Sequence, residues 1–595
     1  MNLSLTRRSM TLLLGATALS APHLAKAAAP SPADAQFANI AARWLEATLR
    51  LQPVGATQTG DHRFDGEIDD MSAAGRAARL KAAVGFLAEL TALDRSKLSR
   101  DNQVDAAILA SQLGYAIWDE QVCQSWAWDP QAYSSLAGNA LYTLVAREFA
   151  PLPARLHSAT LRMEKLPHLF EQMRANLVPA RVPQIHATTV AKQNGGVTDI
   201  VESMILVHAD ALGAEERTRL TAAADALKKA VAEHQLWLDK TLVPAAKGDF
   251  RLGAKLFDEK LVFTLNSTLS RKEIRERAEA AVKETRGKMY AVSLEALRRN
   301  NTPAAAPDVV TPAHEQEVIE AALALAYAMR PPRDQVVATA KKALAAATQF
   351  VRVKDLITLP TAPVQVVTMP KFAQGVAVAY CDSPGPLDKG LDTFFDVSPI
   401  PDDWTQAQTD SFLREYNTLG IQDVAVHEAM PGHYVQLWHA NACPSTLRAV
   451  LSSGSFVEGW AVYAEGMMVE QGFLGDQPLY KLVQLKVLLR TVTNAILDQA
   501  LHVDGISKDD AMKLMTATAF QQEREASGKW TRASLSSTQL STYFVGVSEH
   551  NAMRAEAMRR AGAGFNLKTY HDRALAYGSA PARYVRALMF DEAIG

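Results

Sequence analysis

Cysteine is scarce. Cys123, Cys381 and Cys443 are the only three in 595 residues, an odd and widely spaced set that excludes a disulfide framework. Buried free thiols are the default for each, with space for one bridge at most. An excess of charge of one sign is also lacking: 62 Lys and Arg stand against 64 Asp and Glu, so the chain carries no basic footprint for nucleic acid. The apolar run near the start, Thr11 to Ser20, is too short to span a membrane. No fixed-period repeat and no long linker divides the chain. What remains, 48% hydrophobic and 21% charged, suits a globular protein with a large core and excludes disordered and collagen-like classes.

Residues 1–27 read as a leader rather than as fold. Thr6-Arg7-Arg8-Ser9-Met10 precedes the apolar run, and Ala25-Lys26-Ala27 follows it in the small-x-small pattern of a cleavage site. Paired arginines indicate twin-arginine export, which implies a periplasmic or secreted protein. Folded proteins use that route, which suits a metalloenzyme loaded before export. No cysteine follows the cleavage site, so lipid anchoring there has no support. Loss of Arg7, Arg8 and Lys26 moves the net charge from −2 to −5. The mature chain, 28–595, reads as one large domain with no membrane span.

From Phe37 to Leu238 apolar residues recur at three- and four-residue spacing, predicting helices over Phe37–Leu51, Ala74–Leu93, Asp101–Glu120, Pro153–Leu177 and Glu215–Leu238. His157, His168, His186, His208 and His234 have no second ligand at short spacing and read as structural. Trp126, Trp128, Tyr133 and Tyr142 read as core packing, with the lining of a cleft as the alternative. Helices are again predicted over Arg271–Arg299, His314–Ala328 and Arg333–Phe350. The period then changes: Val364–Met369, Val376–Tyr380 and Thr393–Val397 are β-branched or aromatic and bounded by proline or glycine, predicting a small sheet. Lying just before the chemical motif, its edge could pair with an extended peptide, or it could simply brace the helices. Leu479–His502 and Lys508–Arg524 complete the predicted helices.

The chemistry gathers at His427-Glu428 and Pro431-Gly432-His433, followed 25 residues later by Glu458 in Glu458-Gly-Trp-Ala-Val-Tyr-Ala-Glu465. A zinc hydrolase needs imidazole and carboxylate ligands, an open position for water and a second carboxylate to take the water's proton. His427, His433 and Glu458 are the candidate ligands, and Glu428 the candidate base. In the common H-E-x-x-H helix the histidines stand four apart; here they stand six apart. Six residues turn a regular helix through about 600°, leaving the second imidazole roughly 240° away from the first. A break at Pro431 and Gly432 must bring His433 back, since proline removes a donor and glycine tolerates unusual backbone angles. Glu458 and Glu465, seven apart, share one face of a predicted buried helix, where carboxylates are costly unless paired or metal-bound. Glu465 is a candidate supporting group. Asp423, one turn before His427, is the candidate acceptor for a ligand imidazole. Either histidine alone would read as an ordinary core or surface residue; the combination points to metal.

The pairing of H-E-x-x-P-G-H with E-G-W-A-x-Y-x-E resembles the bacterial family designated domain of unknown function 885. That family is similar to glutamate-zincin peptidases such as thimet oligopeptidase and the Taq-type carboxypeptidases, which are largely helical and use two histidines and a later glutamate. Weaker signatures, Gly60-Asp61-His62-Arg63-Phe64-Asp65 and Arg251 to Phe257, extend the resemblance along most of the chain. Family members commonly carry Arg-Tyr, Pro-x-Gln and Tyr-x-x-Gly near the C-terminal end. Arg532, Gln539, Tyr543 and Gly546 match these, whereas Ala533 and Ser537 depart, which bears on loop geometry and substrate preference. The resemblance implies that Tyr543 donates to an oxyanion, the alternative being a core tyrosine. A carboxypeptidase-like enzyme also needs a cation for the terminal carboxylate; Arg532 or Arg554 could serve, or either could be a structural ion pair. His571 is similar to a recurrent family histidine and is not assigned to the metal.

The expectation is therefore a mainly α-helical fold of glutamate-zincin type with a small β-sheet near the cleft, and a zinc-dependent hydrolase of short peptides, its zinc region at 423–465 and its C-terminal active-site region at 532–571. Zinc is the expected cofactor, although the donor set also suits manganese, cobalt or iron. A non-peptide amide or ester is the alternative substrate, and a non-catalytic metal-binding protein the alternative class. Glu428 speaks against the latter, because a structural site fills four positions and needs no adjacent base. No oligomeric state follows.

Overall fold

The computed structural model describes residues 31–302, 304, 307, 309–369 and 378–594. The leader, 1–27, and positions 376–377 of the expected second strand lie outside them.

Helices begin where a side chain supplies the acceptor that the first turn lacks. Ser72 accepts from the Gly75 amide, and Ser270 and Glu273 close a reciprocal capping box on the helix Arg271–Arg299. The helices Pro32–Leu51, Ala73–Ala92, Arg100–Trp118, Leu152–Asn176 and Ala214–Trp237 lie where the apolar spacing predicts them. The chain is mainly helical, 74% helix against 3% strand. One prediction fails: Lys508–Arg524 is not a single helix. The helical path from Lys508 ends by Thr518, and a new helix starts at Glu523. Tertiary contacts fix the break, for Arg286 donates to Thr518 O and lies over the Phe520 ring, while Glu415 accepts from the Gln522 amide.

Two large apolar cores form. One is built by residues between Val54 and Ala246; the other draws mostly on residues beyond Met289 and carries the helices of the site. The expected sheet is present, with β1 (Gln365–Thr368), β2 (Ala379–Asp382) and β3 (Phe394–Val397) in the order β1-β3-β2. β1 runs parallel to β3, and β2 pairs antiparallel with it, Tyr380 opposite Asp396 and Cys381 opposite Phe395. β2 is thus an edge.

Seven helices shape the site: α1 (Gln406–Glu415), α2 (Thr418–Glu428), α3 (His433–Asn441), α4 (Gly454–Glu470), α5 (Pro478–Gln499), α6 (Glu523–Leu535) and α7 (Ser541–Ala561). Asn417 caps α2 through its amide oxygen, which accepts from Leu419 N and Gly420 N. α4 is apolar nearly all round. Phe456, Trp460, Ala464 and Met468 are fully buried, so this helix belongs to the interior. Burying Phe456 alone contributes about 2 kcal/mol. No helix among the described residues is long and apolar enough to cross a membrane.

Candidate metal centre

α2 ends at Glu428 and α3 begins at His433, so the break required between the histidines is observed. Ala429 leaves the helical region (φ −129°, ψ −68°), and Gly432 N returns to donate to Val426 O at 2.9 Å. Glycine is required there because a Cβ on residue 432 would collide with the carbonyl oxygens of His427 and Val426. Trp460 of α4 anchors the turn by donating from Nε1 to Pro431 O at 2.9 Å. The two imidazoles end with ring centroids 4.8 Å apart and planes at 87°.

Glu458 completes the group. Its Oε2 lies 3.6 Å from His427 Nε2 and 3.5 Å from His433 Nε2, beyond good hydrogen bonds. An ion about 2.1 Å from each atom at tetrahedral angles would set them about 3.4 Å apart, so the residues fit a shared divalent cation. These are the one group of three or more potential ligands among the described residues whose donor atoms converge, all within 4.8 Å. The side chains of His427, His433 and Glu458 keep 18%, 12% and 22% of their exposure. Burial raises the Glu458 carboxyl, but the two imidazoles beside it hold it well below the usual range.

His427 is oriented from behind by Glu465, whose Oε1 lies 2.6 Å from Nδ1. This corrects the role given to Asp423. Asp423 is buried, and its Oδ1 has no hydrogen-bond partner among the described residues. Burial first, and then the neighbouring Glu465 charge, push the Asp423 carboxyl up.

Glu428 is placed by the sheet. Its Oε2 accepts from the backbone N–H of Cys381 at 3.0 Å. Ser398 N donates to Val378 O, so the ladder bonds of β2 fall at Val378, Tyr380 and Asp382. Ala379 and Cys381 therefore turn their backbone groups outward, and the Cys381 amide meets Glu428. The sheet does act as a brace, and its outer edge starts at the candidate site. Burial, reinforced by Glu458, raises the Glu428 carboxyl, while the two histidines and the Cys381 amide restrain the shift. The Gly60–Asp65 motif holds the same region from the other side. His62 bridges Asp65 and Asp388 at 3.0 and 3.1 Å, and Thr59 O accepts from Leu387 N in the β2–β3 connection.

Tyr543 comes to the centre through a glycine crossing of α4 and α7. A Cβ on Gly459 would overlap Gly546, and one on Gly546 would overlap Ser455 O. Such close backbones set Tyr543 near Glu458, whose charge, after burial, helps keep the phenol protonated. Arg532 Nη2 donates to Tyr543 Oη at 2.7 Å and Gln539 Nε2 donates at 3.3 Å. With both lone pairs filled, the phenolic proton is free to be given to another acceptor. Asp498 fixes the start of α7 by accepting from Thr538 N and Ser541 N, each at 3.0 Å. In place of the expected family proline, Ser537 accepts from Lys260 Nζ at 2.8 Å.

Arg554 is not brought to the site. It makes a two-pronged pair with Glu470 at 2.6 and 2.8 Å, and it stands 11 residues, about 16 Å of helix, beyond Tyr543. His571 is structural, contacting Tyr463 Oη and Leu356 O, each at 2.8 Å. All three cysteines are free. Asp498 and the Cys381 amide were missed, and both join the site only through the fold.

A solved structure of a candidate lipoprotein of unknown function from Shewanella oneidensis is similar to this chain at TM-score 0.77 and 31% identity, covering 93% of this chain and 99% of that one. One described as a candidate lipoprotein from Colwellia psychrerythraea has TM-score 0.75 at 16% identity, covering 93% and 98%, a likeness of fold alone. No curated protein matches the chain. The model of the family described as bacterial protein of unknown function, DUF885, matches residues 53–589, and the chain belongs to that family.

Proposed function

We propose that this chain is a zinc-dependent hydrolase of short peptides. The observation that carries the reading is the convergence of His427 Nε2 and His433 Nε2 on Glu458 Oε2 at 3.6 and 3.5 Å, with Glu428 beside them. Zinc held by these three residues would supply Lewis acidity toward the scissile carbonyl and toward water. Glu428, its carboxylate held by the Cys381 amide, accepts a proton from the attacking water and returns it to the leaving amine. Tyr543 donates to the developing oxyanion, steadied by Arg532 and Gln539. The outward backbone groups of Ala379 and the Cys381 carbonyl, the Cys381 amide being taken by Glu428, favour an extended peptide over an ester, because a peptide can add to this part of the β2 edge.

The paired arginines of the leader support twin-arginine export, and the description of both structural relatives as candidate lipoproteins agrees with export in general.

The test combines metal content with turnover. Purified mature chain should hold about one zinc, lost in His433→Ala. Glu428→Gln should keep the metal while kcat falls roughly 10²–10⁴-fold on a panel of di- and tripeptides. A panel of acyl esters run alongside separates peptide from ester hydrolysis. A zinc-free parent after zinc loading, or Glu428→Gln turning over like the parent, would sink the reading.

A further inference from the structure

Lys529 is a buried cation without adequate compensation. It is 8% exposed, and its Nζ makes no hydrogen bond among the described residues. The nearest carboxylate, Glu525, is 3.8 Å away, is bonded by Tyr416 Oη at 2.9 Å, and lies 3.7 Å from Arg490. Desolvating an ammonium costs several kcal/mol unless an anion and hydrogen bonds offset it. Burial accordingly pulls its pKa to about 7. One turn further on, Arg532 spends Nη2 on Tyr543 and Gln539, and its Nε and Nη1 have no hydrogen bond among the described residues. Cations three apart on a helix stand within reach of a single carboxylate.

We propose that Lys529 and Arg532 form a carboxylate-binding subsite beside the candidate metal centre, so that the substrate presents an anionic group close to the scissile bond. This deepens the peptidase reading and rests on it for the substrate's identity. The carboxylate is either the peptide's own C-terminus or an acidic side chain. Lys529 is the new element, and its placement beside the Arg532–Tyr543 pair ties substrate charge to the group assigned to the oxyanion.

Binding tests this without turnover, by calorimetry on zinc-loaded Glu428→Gln chain. The ligands are trialanine, its C-terminal amide, and amidated tripeptides ending in Glu or Gln. Trialanine should bind at least tenfold tighter than its amide, and Lys529→Met should reduce that preference below threefold without changing zinc content or amide affinity. Lys529→Arg should retain it. If the Glu-ended amide shows the Lys529-dependent preference over the Gln-ended one, the subsite takes a side-chain carboxylate. Without any substitution at Lys529, the preference should also fade from pH 6 to pH 9. The charged groups around Lys529 are Glu525 and Arg532 on α6, Arg490 on α5 and Glu415 on α1, with Tyr416 following it.

Three outcomes overturn the proposal: no preference for either carboxylate, trialanine binding like its amide and the Glu-ended amide like the Gln-ended one; a preference that survives Lys529→Met; or no binding of any of the four. A Lys529-dependent preference in a chain whose Glu428-intact form never hydrolyses peptides would defeat the peptidase reading instead.

Discussion

Glu465→Gln separates the fold's account of the metal centre from the account that neighbouring residues alone suggest. Glu465 is 1% exposed, and its Oε1 takes the Nδ1 side of His427 at 2.6 Å, leaving Nε2 to face Glu458 as a candidate ligand. A glutamine keeps shape and hydrogen-bonding capacity but removes the charge that strengthens the imidazole as a donor. Loss of such a supporting partner typically lowers metal affinity 10–100-fold. At 1.4 kcal/mol per decade that is about 1.4–2.8 kcal/mol. Competition with a chelator of known zinc affinity measures the shift, and circular dichroism checks the fold of the metal-free protein. Asp423→Asn is the matched control. Asp423 makes no bond to His427, so the affinity should move less than threefold. If Glu465→Gln binds zinc as tightly as the parent, or Asp423→Asn is the more damaging of the two, the assignment of Glu465 is wrong.

Gly546→Ala forces a methyl group onto Ser455 O and to 2.7 Å from Gly459 Cα, so α4 and α7 must separate. Overpacking of this kind costs about 1–3 kcal/mol by chemical denaturation; unchanged stability would show that the crossing yields freely. Tyr543→Phe should lower kcat about 10²–10³-fold with zinc retained and KM within threefold, and a loss confined to KM would reassign the phenol to binding. Burial, with the charge of Asp382, pushes the Asp396 carboxyl up to about 7, against the restraint of Arg147. The folded state then holds a proton that the unfolded state has already released, so stability falls as pH rises from roughly 4 to 7. Asp396→Asn removes that loss. Its advantage in melting temperature should be small at pH 4 and largest at pH 8, and a pH-independent difference would refute the titration.

The helices were legible because their apolar residues recur at helical spacing and serine or asparagine caps stand at several of their starts. The break between α2 and α3 was legible as well: two candidate ligands six apart cannot share a helix face, and Pro431-Gly432 offered a place to turn. Phe520 shows the opposite case. Nothing local ends a helix there, and the chain breaks because Arg286 and Glu415, far away in sequence, take the exposed backbone groups.

The candidate ligand set was set out by the sequence alone, because the types and spacing of His427, His433 and Glu458 are a local pattern; the fold brings their donor atoms within 4.8 Å of one another. Asp423 looked like the imidazole's partner because it lies one turn away, yet the packing of α4 on α2 delivers Glu465 instead. Arg554 and Arg532 were equivalent as residue types; the α4–α7 crossing sends one to Glu470 and the other to Tyr543. The amide that holds Glu428 carries no side-chain signature at all. Periodicity and motif chemistry were written in the chain, whereas partner choice among buried charges depended on which helix faces meet, a long-range geometric outcome that only the tertiary structure could decide.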